Sequence, residues 1–106
     1  WFRQGADGKF LWPGFGDNLR PIAWALDRVA GRAEAQETAI GYLPRPGDIN
    51  TQGLDIAPEA LDELLSVKGD AWKKEVADIR NYLGEYGART PKALFEELDE
   101  VEKRLN

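Results

Sequence analysis

Phe10-Leu11-Trp12-Pro13-Gly14-Phe15-Gly16-Asp17-Asn18 sets three aromatic rings, two glycines and an acid–amide pair in nine residues, with Trp1-Phe2 a short turn upstream. The chemistry open to such a stretch is recognition of something flat. Aromatic faces stack on any nucleic base, at about 1–3 kcal/mol each. Glycines on either side of Phe15 let backbone come close to a ligand. An asparagine side chain offers both an acceptor and a donor to a base edge. From chemistry alone Phe2, Phe10, Phe15 and Asn18 are candidates for a base slot, without a choice of base. The bland reading makes the rings core residues, where aromatics usually go, with Trp12 and Trp24 as packing.

Little else in the chain offers chemistry. It has no cysteine and no histidine, so thiolate and imidazole nucleophiles, bases and metal ligands are all missing. Catalysis within these residues would have to run on carboxylates, lysine or tyrosine. Asp48-x-Asn50-x-Gln52-Gly53, with Glu59 further on, approximates a calcium loop. Gln52 is the wrong residue type, Pro44 and Pro46 block an entering helix, and Pro58 crowds the last ligand, so a proline-flanked surface loop is expected. The acids from Glu96 to Glu102, Glu75 beside Lys73 and Lys74, and Asp78 beside Arg80 read as solvated helix faces. Gly14-Phe15-Gly16 lacks the third glycine and the strand of a dinucleotide fingerprint. Arg20 stands near enough to the aromatic stretch to approach a ribose or phosphate, although arginines at helix starts commonly have no such role.

The elements that must position these residues are legible in outline. Asp7-Gly8 between Trp1-Phe2-Arg3 and Lys9-Phe10-Leu11-Trp12 predicts a β-hairpin, ended by Pro13. A loop over 14–18 leads to a helix capped by Asp17 or Asn18, with Pro21 in its first turn and Gly31 as its stop. Ile22, Leu26 and Val29 form its apolar stripe, with Trp24 off it. Thr38–Leu43 reads as one short strand and 44–57 as a loop. Pro58 to about Ser66 is a short helix burying Leu61, Leu64 and Leu65. Asp70 is expected to cap a longer helix whose stripe is Trp72, Val76, Ile79, Leu83 and Tyr86, ended by Gly87. Thr90-Pro91 is expected to start a last helix that buries Leu94, Leu98, Val101 and Leu105. The fold class is α+β: an N-terminal hairpin followed by mostly helices.

Composition bounds the rest. The chain has 106 residues, 42% hydrophobic and 31% charged, which is globular and at most one domain. A net charge of −5 argues against non-specific nucleic-acid binding. No apolar run approaches a membrane span and no signal-peptide pattern opens the chain. It contains no methionine and opens mid-pattern, as expected of a piece of a longer protein. Two rival functions stand beside a nucleotide site: a helical interaction domain docking through its aromatic hairpin, and a single-strand nucleic-acid module.

The run "WFR", "GKFLWPGFG", "DN", then "ETAIGYLP", "LLSV", a tryptophan and "DIRNYL" resembles the C-terminal end of GTP-dependent phosphoenolpyruvate carboxykinases over its whole length. One departure is Ala39, where that family commonly has proline after the threonine. The resemblance implies the C-terminal nucleotide-binding lobe of a larger α/β enzyme, with residues 1–18 as hairpin and guanine-binding loop and 19–106 as a mainly helical remainder. It implies that Phe2, Phe10 and Phe15 surround the guanine of GTP or GDP. Gly16 and Asp17 would add loop contacts, and Asn18 would read the base edge. The implied enzyme is a cytoplasmic, monomeric decarboxylating lyase of gluconeogenesis, converting oxaloacetate and GTP to phosphoenolpyruvate, GDP and carbon dioxide. It would use Mn²⁺ at the reacting centre and Mg²⁺ with the nucleotide. The phosphate loop, metal ligands, reactive cysteine, lid and organic-substrate sites would all lie upstream. No catalytic residue and no metal ligand is expected within these 106 residues, which would be inactive alone.

Overall fold

The computed structural model describes residues 1–106, with element order helix, two strands, then three helices: α1 Leu19–Val29, β1 Gln36–Thr38, β2 Gly41–Leu43, α2 Pro58–Leu65, α3 Gly69–Gly84 and α4 Lys92–Leu105. Short 3₁₀ turns precede α1, over Phe15–Asn18, and α4, over Gly87–Arg89. The α+β content is as expected, but the regular hairpin lies elsewhere. Strands β1 and β2 form the single two-stranded sheet. The expected strand over 38–43 is therefore two strands turned at Ala39-Ile40. Gly41 takes a φ of 121°, and the Thr38 hydroxyl donates to the Gly41 carbonyl at 2.6 Å. A straight strand could not hold that side-chain bond. The N-terminal turn does form, yet closes on one antiparallel bridge, Gln4 to Phe10, without regular strands.

Residues fall into two compact units: Trp1–Glu37 with Tyr42–Ser66, and Thr38–Gly41 with Val67–Asn106. The core of the first is Trp12, Ile49 and Leu61, with Leu54, Ile56, Leu64 and Leu65 against them. Segment 44–57 is thus a loop without repeating structure that nevertheless supplies core residues. Arg3 fastens the N-terminal turn to the end of α2: its guanidinium donates to the carbonyls of Leu64 (3.2 Å) and Ser66 (3.0 Å), to Ser66 Oγ (3.1 Å) and to Glu63 Oε1 (3.2 Å). The last carbonyls of a helix have no partner within it, so one planar fork of donors satisfies several acceptors at once.

Helix α1 corrects an expectation. Its stripe Ile22, Leu26 and Val29 faces outward, at 44%, 64% and 87% exposure. Trp24, off that stripe, is half-buried, its indole N–H donating to the Glu34 carbonyl at 3.3 Å. No residue of α1 is fully buried among these 106 residues.

In the second unit α3 and α4 pack side by side. Val76 and Leu98 are its buried residues, one from each stripe. Arg80 bridges to Asp99 at 2.7 Å and Glu102 at 3.3 Å on α4, and not to its near neighbour Asp78. Helix α3 stops at Gly84, one turn before the expected Gly87, leaving Tyr86 outside it. Asp70 sits in the first turn of α3 and does not cap it, because Lys68 holds the cap position. Likewise Pro91, and not Thr90, flanks α4. The Thr90 hydroxyl donates to the Leu83 carbonyl at 2.7 Å, so it finishes α3 and caps nothing on α4. No helix is long and apolar enough to cross a membrane.

Candidate functional site

The aromatic stretch is positioned by two turns. The first is Asp7-Gly8, where Gly8 adopts φ 76° and Asp7 Oδ1 accepts from the Lys9 N–H at 3.0 Å. Backbone bonds from Gly5 to Lys9 (2.9 Å) and from Leu11 to Arg3 (2.9 Å) close it. Phe2 is thereby set diagonal to Phe10 across the bridge, with ring centroids 5.9 Å apart and planes at 65°. That edge-to-face geometry is the favoured one for two phenyl rings.

The second turn follows Pro13. Gly14 adopts φ 75° and Phe15 φ 49°, the only non-glycine with positive φ in the chain. Left-handed backbone costs an ordinary residue roughly 1–2 kcal/mol. Its effect is to throw the Phe15 ring out, 96% exposed and in contact with no other ring. The nine-residue stretch therefore sorts its aromatics. Trp12 is inside at 6% exposure, while Phe10 (59%) and Phe15, together with Phe2 (78%), are outside.

The polar residues of the stretch are partly engaged. Asp17 Oδ1 accepts from Arg20 Nε at 2.8 Å. Arg20 also donates from Nη1 to the Asn50 carbonyl at 2.7 Å, so its guanidinium ties two loops together and does not stand free for a phosphate. Asn18 occupies the position before α1, but makes no capping bond. Its backbone is already helical, with φ −61° and ψ −21°, which turns the side chain away from the N–H groups a cap would reach. Asn18 Oδ1 instead accepts from the Trp12 indole N–H at 3.0 Å.

Of the six site residues expected, the structure joins Phe2 to Phe10 and places Phe15, Gly16, Asp17 and Asn18 in one 3₁₀ turn. It forms no ring contact between Phe15 and the other two. Sequence reasoning missed Trp12 as a hydrogen-bond donor and Arg20 as the clamp on Asp17. The signal for the first was available: an indole and an amide on either side of a glycine turn. Behind the stretch lies an apolar cleft of about 260 Å³, lined by Trp1, Trp12, Pro21, Ile49 and leucines of α2. Its lining offers almost no polar group, so it can hold apolar matter and little else.

The chemistry of the other candidates is also plain. Asp48 Oδ2 accepts from the backbone N–H of Arg45 (3.0 Å) and its Nε (3.1 Å), and Asn50 Oδ1 accepts from the Gln52 N–H at 2.9 Å. These oxygens serve the turns of the 44–57 loop. The Arg45 side-chain bond, with the Arg45 backbone bond next, holds the Asp48 carboxyl below the usual carboxylate range. No group of three or more histidine, cysteine, aspartate or glutamate residues is placed to hold a metal ion.

Residues 1–104 match the model of the family described as phosphoenolpyruvate carboxykinase C-terminal P-loop domain. The chain belongs to that family. Relatives called "Phosphoenolpyruvate carboxykinase [GTP]" are similar along it. The protein from Treponema pallidum is 50% identical over 107 residues, covering 100% of this chain and 17% of its own length. That from Chlamydia caviae is 44% identical, covering 99% and 18%. That from Corynebacterium efficiens is 40% identical, covering 99% and 17%. The chain thus spans about one sixth of the carboxykinases it matches. The glycine-rich phosphate motif that a P-loop requires, G-x-x-x-x-G-K-[ST], is not among these 106 residues of the carboxykinase domain.

Proposed function

We propose that residues 1–18 are the guanine-recognition segment of a GTP-dependent phosphoenolpyruvate carboxykinase, within its C-terminal nucleotide-binding lobe, and that residues 19–106 are the mainly helical remainder supporting it. Phe2, Phe10 and Phe15 enclose the base, Gly16 and Asp17 line the loop beside it, and Asn18 reads its edge. The observation that carries this reading is the sorting of rings: Trp12 is buried while three phenylalanines of the same segment are 59–96% exposed. Burying a phenyl ring is worth about 1.5–3 kcal/mol. The outward rings, with Phe15 held on a left-handed backbone, leave three phenyl faces uncovered by the packing of these 106 residues and open to a ligand. Membership of a carboxykinase family, and relatives whose name carries GTP, support guanine as the base.

In this reading the enzyme converts oxaloacetate and GTP to phosphoenolpyruvate, GDP and carbon dioxide. These residues contribute specificity and position. Contacts made to a remote base hold the γ-phosphoryl group where it can react, which converts base recognition into rate. The residues present do not fit a metal site, so manganese and magnesium, together with the organic-substrate sites, are assigned to the remainder of the enzyme. The segment alone is inactive, and the whole enzyme is read as a cytoplasmic monomer.

The test is kinetic. In the intact enzyme Phe15→Ala and Asn18→Ala should each weaken use of GTP and relax its preference over ATP. Unchanged selectivity in both variants would retire the assignment.

A further inference from the structure

We propose that Trp12 sets the base specificity of this site by fixing which end of the Asn18 amide faces the ligand, an inference that rests on the guanine reading above. An indole N–H donates and cannot accept, so the atom 3.0 Å from Trp12 Nε1 must be the amide oxygen of Asn18. The two ends of that amide are therefore not interchangeable. Trp12 cannot swing to relax the constraint, because its ring is buried in the core with Ile49 and Leu61. Asn18 is held from its own side too, with its backbone already in the helical conformation before α1.

The other end of the amide is unspent. Asn18 Nδ2 makes no hydrogen bond within the chain, and no fully buried side-chain nitrogen or oxygen lacks a partner, so the NH₂ group is not sealed inside the chain and is open to a ligand. The site consequently shows a ligand a donor and withholds the acceptor. A 6-keto purine answers with an oxygen. A 6-amino purine answers with N–H against N–H. Turning the amide over would suit adenine, but would set its NH₂ against the buried indole N–H and leave two donors facing each other. Sites whose buried polar groups go unpaired with the wrong ligand reject it strongly. Trp12 is thus a positioning residue: it touches no ligand and acts through Asn18.

The experiment compares kcat/KM for GTP, ITP and ATP in the intact carboxykinase. The variants are Trp12→Phe and replacement of Trp12 by 3-benzothienylalanine, which keeps the bicyclic shape and removes the donor. Loss of the N–H should lower the GTP-over-ATP preference about tenfold, the scale of one freed hydrogen-bond constraint. The GTP-over-ITP preference should hold, since both bases carry the 6-keto group. A common loss for all three nucleotides, or an unchanged GTP-over-ATP ratio in the benzothienyl form, would overturn the proposal. Asn18→Ala separates the two levels. If it leaves the GTP-over-ATP ratio intact, the guanine reading fails and takes this inference with it. If it collapses the ratio while the benzothienyl form does not, only the role of Trp12 falls.

Discussion

Arg20 and Asp17 are joined Nε to Oδ1 at 2.8 Å, and the same guanidinium reaches across to the Asn50 carbonyl at 2.7 Å. One side chain therefore couples the turn that presents Phe15 to the loop over 44–57. Arg20→Ala should remove both bonds and cost about 1–2 kcal/mol, as expected for a half-buried charged donor with two partners. Hydrogen exchange on the intact enzyme should show faster exchange at amides near Asn50 and in the 15–18 turn. Protection unchanged in both segments would mean that the coupling contributes nothing.

In the proposed guanine reading, a single substitution at Phe15 separates stability from function. Its ring is 96% exposed and its φ is 49°, so packing within these 106 residues gains no burial from the side chain and the backbone carries strain. Asparagine tolerates left-handed backbone far better. Phe15→Asn should leave thermal stability equal or raise it by up to about 1 kcal/mol. Nucleotide affinity should fall by about 1–3 kcal/mol, the worth of one stacked ring. A variant that loses stability while binding nucleotide normally would contradict both halves.

Arg3 holds the end of α2 through four acceptors. Arg3→Ala should loosen the last turn of α2 by about 1.5–3 kcal/mol, since charged hydrogen bonds to helix-end carbonyls are lost together. Arg3→Lys should recover only part of this, because an ammonium lacks the planar fork. Amide exchange over residues 61–66 reports the effect, and full rescue by lysine would argue that charge alone matters.

Asp48 provides the pH prediction. Its bond from the Arg45 side chain lowers its pKa in the folded chain below the ordinary 3.8. A depressed carboxylate contributes stability at pH values above its unfolded pKa and loses it as pH falls through the folded one. The 44–57 loop should therefore keep its turn geometry through mild acid and lose it only below about pH 3.8. Carboxyl NMR titration should find the Asp48 midpoint under that value, and Arg45→Ala should move it upward. A midpoint unmoved by that substitution would remove Arg45 as the cause.

Much of this architecture is legible in the sequence because local rules govern it. Pro58 opens α2, Asp7-Gly8 makes its turn, and the stripes of α3 and α4 bury Val76 and Leu98 as their spacing predicts, although Leu94 and Tyr86 at their ends stay exposed. The misses share one physical origin. Caps and strand pairs depend on which partner wins a polar group, and several candidates compete for each. Asn18 could have capped α1, but the Trp12 indole took its oxygen; Thr90 could have opened α4, but its hydroxyl closes α3. The apolar stripe of α1 was readable as a stripe, whereas what covers it was not: Ile22, Leu26 and Val29 stay exposed among these 106 residues, about one sixth of the relatives' length.

Residue types alone determined that this chain has no thiol or imidazole chemistry, concentrates aromatic rings, glycines and an acid–amide pair between Phe2 and Asn18, and belongs among mixed helical folds. Only the tertiary structure decided that Trp12 goes inward while Phe10 and Phe15 turn outward, and that the Asn18 amide oxygen is taken by the Trp12 indole N–H. Aromatic rings are sorted by backbone direction, and amide ends by a neighbour that can only donate. Both depend on atoms brought together by the turns at Gly8 and Gly14, which spacing along the chain does not express.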